Sequence, residues 1–263
     1  MSTIIVRSAE SVHWYRVQDG GPQYTVKARD GSDRSTTLRD ARKLNLVPSV
    51  TTVMRVAAKP GLDVWKNEQL LLAALTLPRV TGETEKEFIA RVVADSKATG
   101  KAAAERGTRV HESIERWYEG DKAVEHVDIC KGVEEAIFNH FKTHPFQAWK
   151  TEKSFAHVLG FGGKTDLFTY PDEHAPTGIM LDAKTKEFGP EDDVPAYDEH
   201  LMQLAAYRIG MNIPNARCAN VFASVSHPGL VKIKEWSEEE LQRGWKMFQA
   251  LLVFWQLKNN FGV

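Results

Sequence analysis

The spacing of apolar and polar positions changes several times along this chain, and each change marks an element. Near the start two runs alternate, VHWYRV at 12–17 and QYTVKA at 23–28, with QDGGP between them. Alternation around a turn-forming linker predicts a small β-hairpin. In VPSVTTVMRVAA, Ser49 stands as an N-cap before a helix-periodic run that KPG at 59–61 should stop. Helical periodicity resumes from Leu62 to about Leu77, before Pro78, and again from Glu83 to Glu105. Two more helices are expected, from Thr108 to Tyr118 and from about Lys131 to Phe141, the latter closed by His144, Pro145 and Phe146.

Beyond residue 147 the pattern shortens. AWKTEKSFAHV, GFGGKTDLFTY and TGIMLDAKT read as strands, followed by a helix from about Tyr197 to Met211. RCANVFASVS and LVKIKEW supply two more strands. SEEELQRGWKMFQALLVFWQLK closes the chain as a helix, with Ser237 and Glu240 in capping-box spacing. The order predicts an α/β fold, a mixed central sheet flanked by helices behind a largely helical N-terminal half. One domain is expected over 1–263, with 1–105 as hairpin and helical elaboration and 106–263 as the core.

Composition adjusts this picture only slightly. With 263 residues, 42% hydrophobic and 26% charged, the chain can fill one core. It has no apolar run of membrane-spanning length, and MSTIIVRSAESVHWYRV lacks the order of a signal peptide, so a soluble, cytoplasmic protein that is not secreted is expected, from a bacterial or phage-infected cell. Cys130 and Cys218 fit neither a CxxC pair nor a disulfide framework; both are expected as reduced packing residues, with no structural zinc or iron–sulfur cluster. A net charge of -1 gives no global pull on nucleic acid, so any phosphate binding must be local. Trp65, Trp117, Trp149, Trp245 and Trp255 stand in periodic contexts that suit core packing.

Candidate chemistry gathers around MLDAKT, 180–185. In a strand Asp182 and Lys184 share one face while Ala183 points the other way. This is either a solvated ion pair or a metal ligand beside a catalytic lysine. PDEHAPTG suits an antiparallel connection, and a hairpin symmetric about His174 sets Asp166 opposite Asp182, with Cβ atoms roughly 4.5–5.5 Å apart. Two carboxylates so close repel unless a proton or cation lies between them, and hard oxygen donors suit magnesium or manganese. Lys184 would then orient a water or stabilise charge at phosphorus. GTRVHESIE sets His111 and Glu115 one helical turn apart, and QLAAY does the same for Gln203 and Tyr207. Glu115 could accept the second imidazole N–H of His111, and Glu152 could reach a metal through water, though TEK is equally a surface edge.

Together these residues resemble the PD-(D/E)xK nuclease superfamily, in the RecB-like branch of single-chain phage and mitochondrial exonucleases. The family pattern G-x-x-x-H-x-x-x-E, G-x-x-D, D-x-K-T and Q-x-x-x-Y is met by Gly107, His111 and Glu115, then Gly163 and Asp166, then Asp182, Lys184 and Thr185, then Gln203 and Tyr207. VPSVTTV near 48 is similar to a segment upstream in the smaller exonucleases. The resemblance implies a restriction-endonuclease-like core and a Mg²⁺- or Mn²⁺-dependent deoxyribonuclease acting on DNA ends in recombination, repair or degradation. No iron–sulfur cluster or nucleotide cofactor is implied, since the cysteine set of some relatives is missing.

Carried over residue by residue, the resemblance implies a metal held by His111, Asp166, Asp182 and the Ala183 carbonyl. Lys184 is the catalytic lysine beside Asp166 and Asp182, and Glu115, Glu152, Gln203 and Tyr207 support the site or position phosphate. Ser49, Thr51, Thr52 and Thr185 are candidates for the DNA backbone, although helix capping alone explains Ser49. The implied substrate is DNA with a free end and a single-stranded segment, with a recombination or replication protein as a possible partner and no membrane. Two rivals remain open: a structure-specific or restriction-type endonuclease with the same site, and a non-catalytic DNA-binding recombination partner.

Overall fold

The computed structural model describes residues 13–143 and 147–262. Val12, which opens the first expected strand, and His144 to Phe146, expected to close a helix, lie outside them. The N-terminal hairpin is not the expected one. β1 (Trp14–Arg16) turns back through Gly20 and Gly21 to a single bridge at Pro22, but its main partner is β4 (Leu46–Pro48), reached after α1 (Leu38–Leu44). QYTVKA instead contributes β2 (Thr25–Lys27) to a separate pair with β3 (Asp33–Ser35). Burial decides the exchange: Trp14 and Tyr15 need apolar cover, all of β4 is buried, and the β2–β3 pair is largely exposed.

Ser49 caps α2 (Val50–Met54) as expected, its hydroxyl accepting from the Thr52 N–H at 3.0 Å, but this helix ends five residues before Lys59. Pro60 opens α3 (Pro60–Thr76) rather than stopping a helix. A first helical turn has no use for the N–H that proline lacks. The two helices expected either side of Gly107 are one, α4 (Glu85–Tyr118), started by a Thr84–Glu87 capping box. α5 (Val127–Phe141) packs against it.

The C-terminal half holds β5 (Lys150–Thr151), β6 (Ser154–His157), β7 (Phe161–Lys164), β8 (Leu167–Thr169), β9 (Ile179–Lys186), α6 (Asp198–Gly210), β10 (Arg217–Ser224), β11 (Val231–Trp236) and α7 (Glu238–Asn259). Five strands form a mixed sheet in the order β11-β10-β9-β8-β5. β9 and β10 run parallel, joined through α6, and the other neighbours are antiparallel. GFGGKTDLFTY is two strands rather than one. β7 pairs with β6 outside the main sheet, and the chain bends at Thr165–Asp166 before β8 enters it.

Alternation along β9 sends Met180 into one core and Leu181 and Ala183 into the other. α6, α7, α2 and β1 cover the first face; α5 and the last turns of α4 cover the second. The molecule is therefore α/β, with a mixed sheet between helical layers, and both cysteines are buried and unpaired. Among the described residues no helix is long and apolar enough to cross a membrane. Trp117 and Trp255 are core residues, whereas Trp65 is 38% exposed where it lies over Gly100 of α4.

Gly244 sets how closely α6 and α7 approach, because a Cβ there would stand 2.6 Å from Leu201 Cγ, and Leu201 is fully buried. Alanine's gain in helix propensity, about 1 kcal/mol, competes with an overpacking cost of about 1–3 kcal/mol. Gly244→Ala should lower stability in denaturant unfolding by up to about 2 kcal/mol. Unchanged or higher stability would show that the two helices can separate freely.

Candidate active site

The connection from β8 to β9 has the register expected of a hairpin centred on His174. Leu167 pairs with Leu181, Phe168 with Met180 and Thr169 with Ile179, so the next positions outward are Asp166 and Asp182. Asp182 lies in mid-strand with 1% of its side chain exposed. Lys184 Nζ reaches both its oxygens at 2.6 Å, and Asn220 Nδ2, from the paired position on β10, donates to Oδ2 at 2.7 Å. Asn220 is itself held by the Trp236 indole N–H at 2.7 Å. Asp166 stands at the chain bend, where the Ala183 N–H donates to its Oδ2 at 2.9 Å and His111 Nδ1 of α4 lies 3.5 Å away.

Burial and then the neighbouring Asp182 carboxylate raise the Asp166 pKa above the ordinary carboxyl value, and His111 and Lys184 only partly offset them. Burial opposes the Lys184 ammonium, but Asp182 and Asp166 outweigh it and hold its pKa above the lysine norm. Among the described residues no three His, Cys, Asp or Glu side chains converge as a ready-made metal cluster. Asp182 is turned to Lys184 and Asn220 instead. The donor set of His111, Asp166 and Asp182 nevertheless suits a hard divalent cation.

Two glycines of the motif act by close packing. A Cβ on Gly107 would lie 3.1 Å from Thr185 Oγ1, so α4 rests directly on β9 and brings His111 to the site. A Cβ on Gly163 would lie 2.7 Å from Tyr207 Cε1, so β7 accepts the tyrosine ring of α6. Gln203 Nε2 donates to Tyr207 Oη at 3.2 Å. Burial first, then Asp182 and Asp166, raise the Tyr207 pKa and keep it a phenol.

Glu115 also faces this side, its pKa raised by burial and by Glu119. Glu152 takes a left-handed backbone (φ 48°), rare for a non-glycine; its N–H donates to the Asp166 carbonyl and its carboxylate pairs with Lys164. Ser49 and Thr52 are buried, with their hydroxyls bonded to each other at 2.8 Å in the α2 cap. Of the three residues expected along a DNA backbone in this segment, Thr51 is the one that reaches open space. It lines a cavity of about 220 Å³ with Met54, Arg55, Lys59, Lys184, Glu199, His200 and Gln203.

Asn220, Trp236 and His200 were not foreseen from the sequence. Asn220 and Trp236 reach Asp182 through β10 and β11, and no local motif announces strand order. His200 Nδ1 accepts from the Tyr197 N–H at 3.2 Å, and burial lowers its pKa to about 4, so a neutral imidazole faces the Lys184 side of the cavity. Its sequence signal is only its place one turn before Gln203.

No family description matches the chain, and no curated protein does. One solved structure, described as the crystal structure of SSO0001, overlays with a TM-score of 0.29 at 14% identity, covering 72% of this chain and 86% of its own. A likeness so loose carries no argument.

A carboxyl whose pKa is raised by folding costs stability once ionised. That cost is absent below the ordinary value of 3.8 and grows as pH rises through the folded pKa. Asn can keep the bond from the Ala183 N–H while removing the charge. Without metal, Asp166→Asn should therefore melt at or above the wild-type temperature at neutral pH, and the difference should shrink as pH falls toward the ordinary value. A variant that melts clearly lower at neutral pH would contradict the repulsion.

Proposed function

We propose that this chain is a metal-dependent phosphodiester hydrolase that degrades DNA from its ends, built on a restriction-endonuclease-like core. The observation that carries the reading is the Asp166–Asp182 pair, facing across β8 and β9 with Lys184 on the same strand face. A surface ion pair does not account for it, since Asp182 is buried and its carboxylate is bonded from two sides. His111, Asp166, Asp182 and the Ala183 carbonyl would hold magnesium or manganese. Such an ion, when bound, polarises the phosphate and lowers the pKa of water.

The remaining work falls to the chain itself. Lys184, kept protonated by two carboxylates, donates from Nζ to the attacking water or to the charge that develops on phosphate oxygen. Asn220 fixes the Asp182 carboxylate so that it does not rotate when Lys184 turns to the substrate. Tyr207, held as a phenol, and Gln203, bonded to it, offer neutral donors for a non-bridging oxygen. Arg55, Lys59 and Thr51 line the wall beside Lys184, with Lys59 also paired to Glu199 at 3.2 Å, and offer a phosphate the local cations that a chain of net charge -1 needs.

End-labelled linear DNA and covalently closed circles, each incubated with Mg²⁺, test this directly. Linear DNA should be shortened from its ends while circles survive. Asp182→Asn should abolish cleavage, and Lys184→Ala should slow single-turnover cleavage by roughly a hundredfold with only a modest loss of affinity. Cutting of circles would favour the endonuclease reading. No cleavage of either substrate by the wild type would remove the hydrolase reading.

Calcium in place of magnesium should support DNA binding with little turnover, because its looser coordination positions and activates water poorly. Efficient cutting in calcium alone would count against this site.

A further inference from the structure

His200 of α6 lines the cavity beside Lys184, with Thr51, Arg55 and Gln203, and the proposed reaction leaves it without a task. A histidine near two carboxylates invites two roles, a further metal ligand or a base for the attacking water. Either role needs an imidazole lone pair turned toward the site. The start of α6 uses that lone pair instead. His200 is the third residue of the helix, and its Nδ1 accepts from the Tyr197 N–H at 3.2 Å. Burial lowers its pKa to about 4; Asp182 and Glu199 oppose the shift, while Lys184 and Lys186 add to it. The other charges lining the cavity, Arg55 and Lys59, are both cations. The ring is therefore neutral, and with Nδ1 accepting, its one proton sits on Nε2.

Nε2 has no hydrogen-bond partner among the described residues, yet it is not one of the buried side-chain atoms sealed from solvent there. The ring that carries it is fixed. Besides the bond from the Tyr197 N–H, it packs against the rings of Tyr197 and Phe222, with centroids 5.5 and 5.7 Å away. An oriented N–H on a residue only 8% exposed is half of a hydrogen bond, and an acceptor from outside completes it. Lys184, Arg55 and Thr51 bring further donors to the same space, and Glu199, the acid on its wall, is paired with Lys59. About 220 Å³ edged by donors and cations suits a group with several anionic oxygens, one phosphate of a nucleic-acid strand.

We propose that His200 is a further substrate-binding residue, whose Nε2–H donates to a non-bridging oxygen of the phosphate held beside Lys184, and that it serves neither as metal ligand nor as base. The inference rests on the nuclease reading above and adds a contact to it. A neutral donor orients the phosphate without adding a cation that would compete with a metal for Asp182. Because α6 fixes the ring before any substrate arrives, the contact costs little reorganisation when the strand binds.

The test compares His200→Asn and His200→Gln with the wild type. Asn keeps an oxygen near the Nδ1 position for the Tyr197 N–H but has no donor that reaches the place of Nε2. Gln at the third helical position accepts from the same N–H, and its longer amide extends a donor into the cavity. Binding of labelled DNA, with calcium in place of magnesium, should weaken roughly tenfold in His200→Asn and recover in His200→Gln. The single-turnover rate at saturating DNA with magnesium should change little in either, since the contact serves ground and transition states alike. The ratio of wild-type to Asn affinity should stay constant between about pH 5.5 and 8, and the salt dependence of binding should keep its slope. Mn²⁺ binding without DNA should match the wild type. Full affinity in His200→Asn, a loss that Gln does not restore, a ratio that climbs as pH falls through the ordinary histidine value, or weakened Mn²⁺ binding would each overturn the assignment. Wild-type cleavage alongside any of these leaves the nuclease reading standing, whereas a wild type that neither binds nor cuts DNA overturns both.

Discussion

Asp182 is a carboxylate placed in the middle of a sheet, with 1% of its side chain in contact with solvent. An isolated charge there would be severely destabilising, and a buried carboxylate is tolerable only when paired and hydrogen-bonded. The surrounding structure supplies both. Lys184 comes from the same strand face, Asn220 from the parallel neighbour, and Trp236 from the next strand holds Asn220. Three adjacent strands thus contribute one element each to a single carboxylate, and their order in the sheet follows from the α6 crossover that makes β9 and β10 parallel.

The second carboxylate is what the proposed chemistry rests on. Asp166 stands opposite Asp182 at the bend where the chain leaves the β6–β7 pair for the main sheet. Burial, and after it the Asp182 carboxylate, raise its pKa, a cost that the fold retains. A perturbed carboxyl beside a second acid and a lysine, in reach of a histidine and open to a cavity, is the arrangement on which the functional proposal rests. α4 and α6 frame this centre from the two sides, and each is brought close by a glycine, Gly107 against Thr185 and Gly163 against Tyr207.

Much of this was legible in the sequence because it depends on local periodicity. The register of β8 on β9 follows from the symmetry of PDEHAPTG about His174, and the common face of Asp182 and Lys184 follows from strand geometry alone. Partners far apart in sequence were not legible. QYTVKA alternates like a strand whichever neighbour it takes, and only the need to cover Trp14 shows that β1 belongs with β4. Helices were expected from Glu83 to Glu105 and from Thr108 to Tyr118, but an interior glycine such as Gly107 costs only about 1 kcal/mol, and α4 runs through it. Asn220 carries no motif at all, and its role becomes visible only once β10 lies beside β9.

The central claim is that Asp166 and Asp182 form a cation site which Lys184 partly occupies until an ion arrives. Calorimetric titration with Mn²⁺ of the wild type and of the Asp166→Asn and Asp182→Asn variants, without DNA, addresses it most directly. Saturable binding by the wild type, abolished or severely weakened in both variants, is the predicted result. Equal binding by all three proteins, or no binding by the wild type, would contradict it.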